Sequence, residues 1–126
     1  MTEFSEKIVI LPNDQTKYLT DKYDLITKTL GLKIPVRLSD FKAIEAAILK
    51  NKSYSELEKL AEIAGKNYPK SMLSDYELGL MYEKNGDAKR AAKSYQKASQ
   101  LEEIGDLTKD MMMEKFDEMQ SLTTKK

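Results

Sequence analysis

Apolar side chains recur along this chain at intervals of three and four residues, the spacing that places them on one face of an α-helix. The first such stripe consists of Leu19, Tyr23, Ile26 and Leu30. Gly31 follows directly, where a glycine can adopt the left-handed conformation that ends many helices. The pattern therefore predicts a helix over residues 13–31 with one apolar and one polar face.

The same period predicts further helices along the rest of the chain. Their apolar stripes lie within residues 39–50, 53–68, 71–84, 88–103 and 107–122. Side chains that can accept hydrogen bonds from the first backbone N–H groups of a helix stand at Ser39, Ser53 and Asp87. We therefore expect an all-α fold of about six helices. Residues 1–12 are predicted to be a tail or linker remnant in which Ile8–Leu11 is strand-like, and residues 123–126 a frayed tail.

A pattern with a period of 34 residues occurs twice in the middle of the chain. The second copy, residues 72–105, contains Leu78-Gly79-x-x-Tyr82 and then Ala91-x-x-x-Tyr95-x-x-Ala98. This resembles the tetratricopeptide repeat, a helix–turn–helix unit in which small residues let two helices cross closely and large ones fill the adjacent space. The first copy, residues 38–71, fits less well because Glu45 and Leu57 stand where small residues are expected. A generic helical bundle is the alternative interpretation.

Two such repeats alone bury too little apolar surface to be stable, so neighbouring helices are expected to cover them. The helices predicted over 13–31 and 107–122 suit this role, because each has a single apolar stripe. A length of 126 residues is sufficient for one hydrophobic core. We therefore predict a single domain over residues 1–126, in which the repeat pair at 38–105 is flanked by a helix on each side.

The amino-acid composition argues against catalysis by this chain itself. Cysteine, histidine and tryptophan are absent, which removes thiol chemistry and the side chain that most often transfers protons at neutral pH. The 21 basic residues balance the 21 acidic ones, whereas nucleic-acid binding needs a net basic face. No apolar run approaches the length of a membrane span. We expect a non-enzyme that binds no nucleic acid and crosses no membrane, and the compartment stays undetermined.

Motifs of enzyme chemistry are also missing. No two glycines have the spacing of a Gly-x-Ser-x-Gly nucleophile elbow or of a phosphate-binding loop. Acidic residues interleave with lysines, as on solvated helix faces, so no metal or other cofactor is expected.

The run Met111-Met112-Met113 is unusual, because at most two of three consecutive helical residues can face a core. It has two interpretations: either a contact surface for a partner or loose packing of the core.

A tetratricopeptide repeat binds partners through the inner face of its first helices. The positions that correspond to this face are Lys42, Ala46, Leu49, Leu73, Tyr76, Glu77, Leu80 and Glu83. Only Lys42 has a side chain of the type that binds the terminal carboxylate of a peptide. Tyr76 and Leu80 instead favour binding of an apolar or aromatic segment. That segment could belong to another protein or to the same polypeptide, and we expect cover by the same polypeptide.

A longer series of motifs resembles the C-terminal extension of bacterial proteins assigned as esterases of the α/β-hydrolase fold. The series runs in order from Leu30-Gly31 and Ile34-Pro35, through Asn67-Tyr68-Pro69-Lys70-Ser71, to the segment Tyr76–Asp87. The resemblance covers about residues 12–105. It implies an accessory domain and gives this chain no catalytic residue, because the esterase's serine, acid and histidine would all precede it.

The sequence therefore predicts a non-catalytic helical repeat domain that contacts another protein or another domain of its own polypeptide, as the accessory module of a hydrolase. The alternative is a stand-alone adaptor that binds an apolar peptide in its concave groove. The oligomeric state is not predicted by the sequence.

Overall fold

The computed structural model describes residues 15–124 of the chain. Within them the helices are α1 (Gln15–Leu30), α2 (Leu38–Asn51), α3 (Glu56–Asn67), α4 (Leu73–Lys84), α5 (Ala88–Ala98) and α6 (Lys109–Thr124). No strand forms among these residues, and two isolated β-bridges join loop positions. The prediction of an all-α fold with about six helices is confirmed. The run Ile8–Leu11 lies outside the described residues, as does the rest of the predicted tail at 1–12.

Some helix ends differ from the prediction. Helix α6 continues to Thr124, so the predicted frayed tail is wrong at residues 123 and 124, while residues 125–126 lie outside the described part. Helix α5 ends at Ala98 rather than near residue 103. The chain between α5 and α6 instead pairs with the link before α4, because Glu102 donates its N–H to Lys70 and accepts that of Met72 at 2.9 Å.

Three predicted caps can be compared with the structure. Asp87 does cap α5, since its Oδ1 accepts the N–H of Arg90 at 3.1 Å. Neither serine caps its helix: α2 begins at Leu38, ahead of Ser39, and the cap position of α3 is Ser55, without a side-chain hydrogen bond. The expected capping box at Ser53 is therefore wrong.

The described chain divides into two compact units, residues 15–53 and 54–124. In the first unit α1 packs on α2, and the buried side chains are chiefly Leu19, Tyr23, Phe41, Ile44 and Ile48. Gly31 ends α1 with a φ of 70°, and its N–H donates to the carbonyl of Thr27 at 2.8 Å. The predicted left-handed cap is thus present.

A polar link also joins the two helices of the first unit. The hydroxyl of Tyr23 donates to Oδ2 of Asp40 at 2.6 Å and accepts the backbone N–H of Arg37 at 2.9 Å. The hydrogen bond from Tyr23 lowers the pKa of Asp40, while burial and the same hydrogen bond raise the pKa of Tyr23. The first turn of α2 is therefore held to the middle of α1 by a tyrosine rather than by a serine cap.

In the second unit each helix packs on the next, α3 on α4, α4 on α5 and α5 on α6. Its core contains Leu57, Leu60, Ala64, Met72, Ala91, Tyr95, Ala98, Met112 and Met119. The boundary between the units falls between α2 and α3, inside the predicted first repeat at 38–71. The predicted second repeat, 72–105, lies whole within the second unit. The single domain over residues 1–126 that the sequence favours stays a prediction.

The crossing of α4 and α5 depends on a glycine. A Cβ atom placed on Gly79 would lie 2.6 Å from Cε1 of the Tyr95 ring, closer than two carbon atoms can pack. Tyr95 is fully buried, and its ring occupies the space that any larger residue at position 79 would need. The sequence predicted that two helices cross closely at this glycine, and α4 and α5 do so.

Candidate functional site

The eight positions of the predicted groove fall on two helices that belong to different units. Lys42, Ala46 and Leu49 lie on α2, and the other five lie on α4. On α2, Lys42 and Ala46 are exposed, while Leu49 is half-buried. The two sets are therefore described separately.

On α4, most of the predicted positions are not open to solvent. Leu73 and Leu80 are each 5% exposed and Glu77 is fully buried, whereas Tyr76 and Glu83 are half-buried. In this structure, Leu73, Glu77 and Leu80 are therefore closed to a peptide arriving from outside. Tyr76 and Glu83 retain partial access.

Tyr76 and Glu83 contact the same side chain on α5. The hydroxyl of Tyr95 donates to Oε1 of Glu83 at 2.6 Å. The ring of Tyr95 lies 6.4 Å from that of Tyr76, at an interplanar angle of 49°, which is a favourable tilted arrangement of two aromatic rings. The predicted groove residues are thus connected through the tyrosine at the helix crossing.

A lysine from α6 completes this group. Nζ of Lys115 lies 3.6 Å from Oε1 of Glu83 and 5.3 Å from the centroid of the Tyr95 ring. The carboxylate of Glu83 therefore receives a hydrogen bond from α5 and an ion pair from α6. We call Tyr76, Glu83, Tyr95 and Lys115 the α4–α6 polar cluster. It joins three consecutive helices.

Sequence reasoning did not single out Lys115. The signal was present, because Lys115 falls three residues after buried Met112 and four before buried Met119, within an otherwise apolar stripe. A lysine at such a position places its long apolar stem against the core and its charge at the edge. Its position on the stripe indicates that its stem packs against the core, but it does not identify the group that its charge meets.

The methionine run divides as helical geometry requires. Met112 is fully buried and Met113 is 42% exposed, while Met111 is intermediate. Met112 therefore belongs to the core, and Met113 is open to solvent on the outer side of α6, where a contact surface stays a prediction.

Acidic side chains in the described residues do not gather into a metal site. Within residues 15–124, no group of three or more carboxylates is close enough together to hold an ion. Asp75 is a partly buried carboxylate on α4, and burial raises its pKa while the charge of Lys97 opposes that rise. In the same part of the chain, no helix is both long and apolar enough to cross a bilayer.

Comparison with known proteins gives one informative match. No protein-family model matches the chain, and neither does any curated protein. The chain is similar to the crystal structure of an uncharacterised protein from Capnocytophaga ochracea, with a TM-score of 0.84 and 35% sequence identity. The match covers 95% of this chain and 34% of that protein, so the chain spans about a third of the length of the protein it matches.

Proposed function

We propose that this chain is a non-catalytic helical module that acts by contacting another protein or another domain of its own polypeptide. The observation that carries the proposal is the match to one third of a longer protein at 35% identity. Domains of one chain contact each other through interfaces that resemble those between separate proteins, so a fold that recurs as a minor part of a larger chain has the remainder of that chain as a neighbour to contact. The absence of histidine and cysteine from the sequence is consistent with this role.

A finer proposal concerns the kind of module. The hairpin of α4 and α5, with Gly79 against Tyr95, has the close crossing that the tetratricopeptide repeat requires. We propose that this hairpin is a repeat of that type and that the module is the C-terminal accessory part of a hydrolase. The ordered series of motifs from Leu30-Gly31 to Asp87 supports this assignment, which places all catalytic residues outside the chain.

The reading frame upstream of Met1 tests the hydrolase assignment. We expect it to encode a Gly-x-Ser-x-Gly motif followed by a histidine. The longer polypeptide and this chain alone are then assayed for hydrolysis of a p-nitrophenyl ester. We expect hydrolysis by the longer polypeptide and none by this chain, and a serine-to-alanine change in that motif provides the control. Ester hydrolysis by the purified 126-residue chain would contradict a non-catalytic role.

A further inference from the structure

The outer surface of α5 and α6 carries charge of opposite sign on its two sides. Every charged residue of α5 is basic, namely Lys89, Arg90, Lys93 and Lys97. The outer side of α6 carries Asp110, Glu114, Asp117 and Glu118, all exposed. We call these the basic side and the acidic side of the α5–α6 surface.

Two lysines of the basic side are not used within the second unit. Arg90 forms an ion pair with Asp87 at 3.5 Å, and the charge of Lys97 opposes the rise in the pKa of Asp75. Among the described residues, Lys89 and Lys93 form no ion pair. Spaced four residues apart, they lie on the same face of α5.

The acidic side is likewise unpaired. No ion pair among the described residues includes Asp110, Glu114 or Asp117, and their spacing of four and three residues places them on one helix face. Met113, 42% exposed, is the apolar member of that face. Helix α6 also contains two lysines: Lys115 is directed to Glu83, while Lys109, next to Asp110, forms no ion pair among the described residues.

A groove separates the two sides. Its volume is about 460 Å³, and Ala92 and Phe116 supply its apolar surface between Lys89 and Lys93 of α5 and Gln120 of α6. No acidic side chain lines the groove itself, but Asp117 precedes Gln120 by three residues, so the acidic side adjoins the α6 edge of the groove. The order across the surface is therefore basic, apolar, neutral polar and acidic. Consider a twofold axis that lies along the groove, in the plane of the surface. Rotation by 180° about this axis places a second copy face to face with the first, with the basic side of each opposite the acidic side of the other. The surface is therefore complementary to itself.

We propose that a second copy of this chain binds the α5–α6 surface, forming a twofold symmetric dimer in which the basic side of each copy meets the acidic side of the other. A closed twofold interface uses the same patch on both copies, and this patch meets that requirement. A partner of one charge sign would satisfy only one side and oppose the other. The inference does not depend on the proposed function.

The first experiment measures the mass of the full chain by sedimentation equilibrium across a concentration series. We expect a monomer–dimer equilibrium that approaches twice 14.4 kDa, with a dissociation constant that rises with salt because exposed ion pairs are screened. A chain that stays monomeric at millimolar concentration and low salt would overturn the inference and leave the proposed function standing.

The second experiment uses a pair of charge-reversed variants. Lys89→Glu/Lys93→Glu makes the basic side acidic, and Glu114→Lys/Asp117→Lys makes the acidic side basic. Each variant alone should dimerise at least about 30-fold more weakly, since exposed pairs on both halves are replaced by like charges. Mixed in equal amounts, they should form a heterodimer, because every charged contact is then restored.

A matched control and a folding check complete the test. Lys59→Glu/Lys66→Glu makes the same charge change at exposed positions of α3 and should leave the dissociation constant within about twofold of the wild type. Circular dichroism of each variant confirms the helical fold before mixing. Two folded variants that remain monomeric when mixed, or a control that is as weak as the basic-side variant, would contradict the proposed interface.

Discussion

Substitution of Gly79 by alanine tests the helix crossing on which the second unit depends. In an ordinary helix interior this change stabilises, because alanine exceeds glycine in helix propensity by about 1 kcal/mol. Here the new Cβ would lie 2.6, 2.8 and 2.9 Å from three ring atoms of Tyr95. The ring cannot move away easily, since it is fully buried and its hydroxyl is bonded to Glu83.

The expected magnitude follows from the balance of these two effects. Overpacking a filled core costs about 1–3 kcal/mol, and a fixed aromatic ring favours the upper part of that range. After the gain in helix propensity, Gly79→Ala should lower the free energy of unfolding by about 1–2 kcal/mol. For a unit of this size, that corresponds to a fall of roughly 4 °C or more in Tm.

Gly65 provides a matched control in α3. A Cβ at that position would meet only Ser74, with Oγ at 3.6 Å and Cβ at 3.9 Å, which is normal packing. Gly65→Ala should therefore raise the free energy of unfolding by about 0.5–1 kcal/mol. Urea denaturation followed by far-UV circular dichroism compares both variants with the wild type. If Gly79→Ala is as stable as Gly65→Ala, the close crossing at Tyr95 is wrong.

Further substitutions test individual hydrogen bonds by the same urea denaturation. Asp40→Asn should flatten the loss of stability in acid: the lowered pKa of Asp40 means that its contribution is complete above the ordinary aspartate pKa and is lost as pH falls through the lowered value. An unchanged acid profile would count against the link to Tyr23. Tyr95→Phe should cost about 1–2 kcal/mol, because it removes a hydrogen bond to a carboxylate; no loss would show that this bond is not formed. Asp87→Ala should cost about 1 kcal/mol as a lost helix cap, whereas Ser53→Ala should change stability by at most about 0.5 kcal/mol. Equal costs for these last two would contradict the assigned caps.

The helices were predictable from sequence because their signals are local. The apolar stripe ending at Gly31 and the turn before Asp87 depend on residues within a few positions of each other, and both predicted caps are present. The two serine caps were wrong because both helices begin elsewhere: α2 starts at Leu38, ahead of Ser39, and the cap position of α3 is Ser55. At the start of α2, a residue that is distant in sequence also takes part. Tyr23, 14 residues before Arg37, accepts the N–H of that residue at the start of α2.

The sequence did not predict which residues of the groove are exposed to solvent. A helical period identifies the side of α4 that carries Leu73, Glu77 and Leu80, but it does not reveal whether that side is open or covered. Glu77 is the clearest example, because a carboxylate is normally a sign of exposure, yet this residue is fully buried. The ion pair of Glu83 with Lys115 joins residues 32 positions apart, a separation at which no local pattern specifies the partner.

The affinity of this chain for the polypeptide encoded directly upstream of Met1 tests the central claim most directly. The two parts are expressed separately, and isothermal titration measures their association. We predict saturable binding, which would establish the chain as a contact module for its own polypeptide. An upstream polypeptide that shows no association with this chain at millimolar concentration would contradict a contact within its own polypeptide.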